Sequence, residues 1–137
     1  MSPVGIRNNN PGNIRSSKVA WQGQTGASPL GFCIFDTPAN GLRALCKQLL
    51  TDEVVHGCRT VQEIITRWAP PKENNTKAYI KDVSDRMKIS PIDDINLRKP
   101  AVLASLATAI IWHENAEQPY APSLIAGAVD NALKGLK

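Results

Sequence analysis

Glu114 is the residue whose setting in the sequence could do chemistry. Leu103, Leu106, Ala107, Ile110 and Glu114 follow one another at i, i+3, i+4, i+7 and i+11, the spacing of one face of an α-helix. A carboxylate therefore continues the most apolar stripe of the chain at the point where that helix should end. Burial disfavours the charged form of a carboxyl group, so a glutamate in such a place can hold its proton near neutral pH. That is what a general acid needs in order to protonate a glycosidic oxygen. The opposing reading is that the helix frays at His113 and Glu114 turns to solvent. His113, one residue round the helix, reads as an exposed or partly packed side chain rather than a base. The remaining acids have plainer explanations: Glu63 belongs to a cap, Glu53 ends a helix, and Asp93 and Asp94 sit in a loop. Asp36 precedes a helix start, where negative charge suits the helix dipole. No second carboxylate pairs convincingly with Glu114.

The segment GIRNNNPGNIR, residues 5–15, is the other feature that could do chemistry. Pro11-Gly12 suits the centre of a type II turn, with Gly12 supplying the positive φ. The amides of Asn9, Asn10 and Asn13 both donate and accept hydrogen bonds. They could meet the N-acetyl and hydroxyl groups of a saccharide, or they could tie the turn together. The residues by themselves leave both roles open. Tyr79 either steadies a sugar near the acid or packs on its own helix. Trp21 and Trp68 either offer stacking surfaces or fill the core.

Helices and one hairpin must position these groups. VAWQGQ (19–24) and LGFCIFD (30–36) flank a loose turn and suggest a β-hairpin. Thr37-Pro38 reads as an N-cap with proline at the first helical position, opening a helix over about 38–53 that carries Leu42, Leu45, Cys46, Leu49 and Leu50. TVQE (60–63) is a capping box that opens a short helix through Trp68, ended by the prolines that follow. A third helix is expected over 73–87, with Ala78 or Tyr79, Val83 and Met87 inward, a fourth over 101–116 and a last one over about 122–134. The class is mostly α, with one small hairpin near the N-terminus and no linker or repeat that would divide the 137 residues into domains.

Composition narrows the partners. At 42% hydrophobic and 20% charged residues the chain is that of an ordinary folded domain, and its longest apolar stretch is too short to span a bilayer. A net charge of +4 favours anionic partners, but the basic residues are scattered and form no nucleic-acid arm. Cys33, Cys46 and Cys58 have neither zinc-site nor disulfide-framework spacing, and Cys46 falls among leucines as a core residue. The expectations are no metal, no cofactor, no nucleic acid and no membrane partner, and a monomer. The start Met1-Ser2-Pro3 lacks a secretory pattern. If the chain acts outside the cytoplasm, something else must deliver it.

LASLATAIIWHENAEQPYAPSLIAGA (103–128) resembles the catalytic segment of lytic transglycosylases and goose-type lysozymes, in which a helix ends in the catalytic glutamate. The glutamate falls on Glu114, with Asn115 where serine is commoner. NNPGNIR, WQG and FCIFDTPANGLRALCKQLL are similar to the front of peptidoglycan N-acetylglucosaminidases, and WAPPKENNTKAYI loosely resembles their later segment. Small phage-encoded wall-degrading proteins also open with such an asparagine-rich loop. In most of that superfamily the glutamate helix precedes the hairpin; here the hairpin leads, an order like that of a circular permutation. The resemblance implies a lysozyme-like domain over residues 1–137 that cuts the β-1,4 bond between N-acetylmuramic acid and N-acetylglucosamine. Glu114 would be its acid, with Asn9, Asn10, Asn13, Tyr79 and Trp21 as substrate contacts. With one carboxylate, the muramoyl 6-hydroxyl attacks intramolecularly, as in lytic transglycosylases. The partners implied are peptidoglycan glycan strands and other virion or lysis proteins. The resemblance also implies synthesis in the bacterial cytoplasm and delivery by a virion, a holin or a secretion system. The alternative is an inactive wall-binding or virion structural module of the same fold.

Overall fold

The computed structural model describes residues 2–72 and 74–136. Its elements run α1 (Val4–Arg7), β1 (Gln24–Ala27), β2 (Cys33–Phe35), α2 (Pro38–Val54), α3 (Val61–Trp68), α4 (Thr76–Met87), α5 (Pro100–Asn115) and α6 (Pro122–Lys134). The architecture is mostly helical with a small antiparallel hairpin, the class expected from the sequence.

Local chemistry starts the helices where the sequence marks them. Thr37 accepts a hydrogen bond from the Asn40 amide at 3.2 Å, with Pro38 at the first position of α2. Thr60 accepts from the Glu63 amide at 3.1 Å, while the Glu63 carboxylate reaches back to the Arg59 amide at 2.8 Å. This is a capping box that closes one residue before the cap. Asn75 caps α4 by accepting from the Ala78 amide, so that helix begins at Thr76. The expected start at Glu73 lies outside the described residues. At the far end of α5, Ala116 takes a left-handed conformation (φ 58°) and its N–H bonds to the Trp112 carbonyl at 2.8 Å. The helix thus runs intact through Asn115 and does not fray at His113.

The hairpin forms later than the sequence suggests. A turn with Gly23 at φ 80° closes between Trp21 and Gln24, and the Gln24 side chain accepts from the Trp21 amide. The chain can extend only after that reversal, so pairing begins at Gln24 opposite Phe35 and ends with Ala27 opposite Cys33. Cys33 and Phe35 pack on Ala44 of α2, with Ile14 and Trp21 at the margin, which seats the hairpin on the helical body.

α2 lies along α6, α5 packs on α4 and α6, and α3 joins α2 to α4. Leu45, Leu49, Ile65, Leu106 and Ile110 meet in the fully buried interior. Burying each such side chain contributes about 1.5–3 kcal/mol, so the helices carrying Tyr79 and Glu114 are held by the main core. Cys46 belongs to it, and burial pushes its thiol up to about 12.

Candidate functional site

The asparagine loop is built by its own side chains. Asn10 is wholly buried: its Nδ2 donates to the Ile14 and Cys33 carbonyls at 3.0 Å each, and its Oδ1 accepts from the Ile14 amide. The Asn9 amide donates to the Phe35 carbonyl at 3.1 Å. Both side chains therefore bind the loop to β2, and Asn10, expected as a sugar contact, is enclosed with no surface to offer one. The left-handed positions are Asn9 (φ 52°) and Asn13 (φ 51°), not Gly12. Asparagine tolerates that region because its short amide bonds locally. Gly12 is needed for another reason: a Cβ there would stand 3.0 Å from both Leu45 and the Trp68 ring. Likewise a Cβ on Gly41 would overlap the Asn9 carbonyl oxygen, so the loop lies directly on the first turns of α2.

This close docking brings Asn13 to Glu114, 101 residues away along the chain. Asn13 Nδ2 donates to Glu114 Oε1 at 2.7 Å, and the Tyr79 hydroxyl donates to Oε2 at 2.7 Å. The neighbouring Asn115 donates to the Pro11 carbonyl at 2.9 Å, binding the end of α5 to the same loop. Both carboxylate oxygens of Glu114 are thus held by side chains from separate elements. Burial, with Glu114's charge and hydrogen bond adding to it, pushes the Tyr79 hydroxyl far above the ordinary phenol value, so it keeps its proton.

A chain of contacts supports Tyr79 from behind. The His113 ring stacks on it with centroids 3.7 Å apart, and His113 Nδ1 lies 2.8 Å from Asp82 Oδ2. Asp82 also accepts from Arg86 Nε at 2.9 Å. Burial alone would raise the Asp82 carboxyl, but bonding to His113 and Arg86 outweighs it and holds it below the usual carboxylate range. Sequence reasoning gave His113 and Asp82 no role, and their separation of 31 residues carries no helical signal.

Glu114 and Asn13 open onto a cleft of about 470 Å³, whose walls include Trp68, Gln48, Asp52 and Arg67. Trp68 therefore faces both the core and the cleft. Asp52 was missed from the sequence. Its side chain is 4% exposed, and burial raises its carboxyl while Arg67, Nε 3.5 Å away, works against that. Its position on the same helical face as Leu45 and Gln48 was the available signal. Trp21 packs beside the hairpin cluster and is not among the cleft walls. The site thus unites Glu114, Asn13 and Tyr79 of the expected residues and leaves Asn9, Asn10 and Trp21 elsewhere in the loop and hairpin.

Among the described residues no cluster of His, Cys, Asp or Glu could hold a metal ion, and no helix is long and apolar enough to cross a membrane. No family model matches the chain. By pairwise similarity it belongs to a family of bacteriophage proteins. One relative is Protein P5 of Pseudoalteromonas phage PM2, 37% identical over 122 residues, covering 85% of this chain and 73% of that protein.

Proposed function

We propose that this protein degrades peptidoglycan, cleaving the β-1,4 bond between N-acetylmuramic acid and N-acetylglucosamine as a lytic transglycosylase. The observation that carries this is the Asn13–Glu114–Tyr79 arrangement at the wall of a cleft that also presents the Trp68 ring. An aromatic face and planar polar groups suit a sugar ring, whose faces are apolar and whose rim is hydroxylated.

In the first step Glu114 gives a proton to the glycosidic oxygen as the C1–O bond breaks and positive charge develops at the muramoyl C1. In the second the muramoyl 6-hydroxyl attacks C1 and returns its proton to Glu114, giving a 1,6-anhydro end without consuming water. Glu114 must act as acid and then as base. Its partners suit that exchange, because a phenol hydroxyl can donate or accept and an amide can do either after a flip. Asp52 is opposed by Arg67 and nearly enclosed, which supports Glu114 as the working acid. Membership of a phage protein family supports delivery to the wall by a virion or during lysis.

Mass spectrometry of muropeptides released from purified sacculi is the test. Anhydro ends support the mechanism, whereas reducing N-acetylmuramic acid ends would mean hydrolysis and bring Asp52 into it. Reducing N-acetylglucosamine ends would mean that the other bond is cut. Sacculi that bind the protein but stay intact would leave only an inactive wall-binding module.

A further inference from the structure

Two arginines line the cleft, and their charges are not equivalent. Arg67 stands against Asp52, so its charge offsets a buried carboxylate. Arg15 makes no ion pair among the described residues. Its guanidinium lies 4.8 Å from the centroid of the Phe32 ring, and the two residues are joined by a backbone bridge. Phe32 is itself half-buried and part of the cleft wall. Stacking on an aromatic face orients a guanidinium without neutralising it. Arg15 is itself exposed at the cleft wall, and a guanidinium carries a fork of N–H donors whose geometry matches a carboxylate. The loop that places Asn13 on Glu114 thus presents a free, oriented cation two residues further on.

We propose that Arg15 is a specificity-determining residue that receives a carboxylate carried by the glycan. This rests on the reading of Glu114 given above, and it narrows the substrate class to anionic glycan as opposed to neutral polymers of N-acetylglucosamine. N-acetylmuramic acid bears a lactyl ether that ends in a carboxylate or continues into a stem peptide with carboxylates of its own. The neutral polymer has only a hydroxyl at that position.

The experiment compares the full-length chain with Arg15→Gln and Arg15→Lys on peptide-bearing glycan strands from sacculi and on strands stripped of peptide by an amidase. Binding of a neutral N-acetylglucosamine pentamer is measured alongside. Arg15→Gln is expected to raise KM on peptide-bearing strands roughly tenfold, the scale of one hydrogen bond to a charged group, with kcat, Tm and pentamer binding unchanged. Arg15→Lys should recover part of the loss. A KM effect that persists on stripped strands assigns the carboxylate to the lactyl group; one that disappears assigns it to the stem peptide. Wild-type KM for Arg15→Gln on both anionic substrates, or an equal loss of pentamer binding, overturns the proposal while the Glu114 reading stands. If the unaltered protein cleaves no sacculi, that reading falls and takes this one with it.

Discussion

Glu53 and Glu114 are each the penultimate residue of a helix, α2 and α5, where the helix dipole disfavours a negative charge. Their surroundings differ. Glu53 is 3% exposed and accepts a hydrogen bond from the Leu97 backbone amide at 2.7 Å. A backbone amide can only donate, so Glu53 Oε2 accepts and binds the segment before α5 to the end of α2. Glu114 is half-buried and is held by an amide and a phenol side chain, which can both reverse their roles. One glutamate is tied to a backbone amide and the other to two side chains. On the proposed mechanism, the versatility of the partners and not burial is what separates a structural acid from a reactive one.

Glu114→Gln should break this comparison most severely. It keeps the side chain's shape but cannot donate a carboxylic proton, so activity should fall by roughly 10²–10⁴-fold, the usual worth of general acid–base catalysis. Tm should hardly move. Glu117→Gln and Asp36→Asn are controls, and wild-type lysis by Glu114→Gln with either control dead would overturn the mechanism.

The partners of Glu114 come next. Tyr79→Phe and Asn13→Gly each delete one hydrogen bond to the carboxylate, and glycine retains the positive φ at residue 13. A bond to a charged group is worth about 1.5–3 kcal/mol, so kcat should fall about 10–100-fold. An unchanged kcat in both would mean that they do not position the acid.

Glu53→Ala should show the reverse pattern. Orphaning the buried Leu97 amide should cost roughly 1–3 kcal/mol of stability, read by denaturant unfolding, with activity per folded molecule intact. A loss of activity in the folded variant would erase the distinction between the two glutamates.

The smallest effect appears only in alkali. Tyr79 keeps its proton in the folded state above the value of about 10 at which an unfolded tyrosine loses it. Its contribution to stability is complete below that pH and is lost as pH rises towards the folded value. Between about pH 10 and 12 the wild type should therefore lose stability faster than Tyr79→Phe. Parallel curves of Tm against pH would contradict the buried, hydrogen-bonded phenol.

Local rules made most of the helices legible. Thr37-Pro38, the TVQE box and Pro122 act within a turn of where they stand, and they start their helices as the sequence predicts. The apolar stripe that ends at Glu114 was visible for the same reason, since helical spacing depends only on near neighbours. The first strand was misplaced because turn chemistry at Gly23 and Gln24 competed with β-propensity, and the turn won.

By itself, then, the sequence determined the helical class and the position of Glu114 at the end of an apolar face. Only the tertiary structure decided which asparagine meets it. Asn10 and Asn13 carry the same amide three residues apart, yet one is enclosed against Cys33 and the other reaches across to α5. The docking of the loop on Gly41 and the end of α5 makes that choice. So too with Asp52 and Arg15: whether a charge is opposed or free depends on what packs against it from far along the chain, and no short-range pattern carries that information.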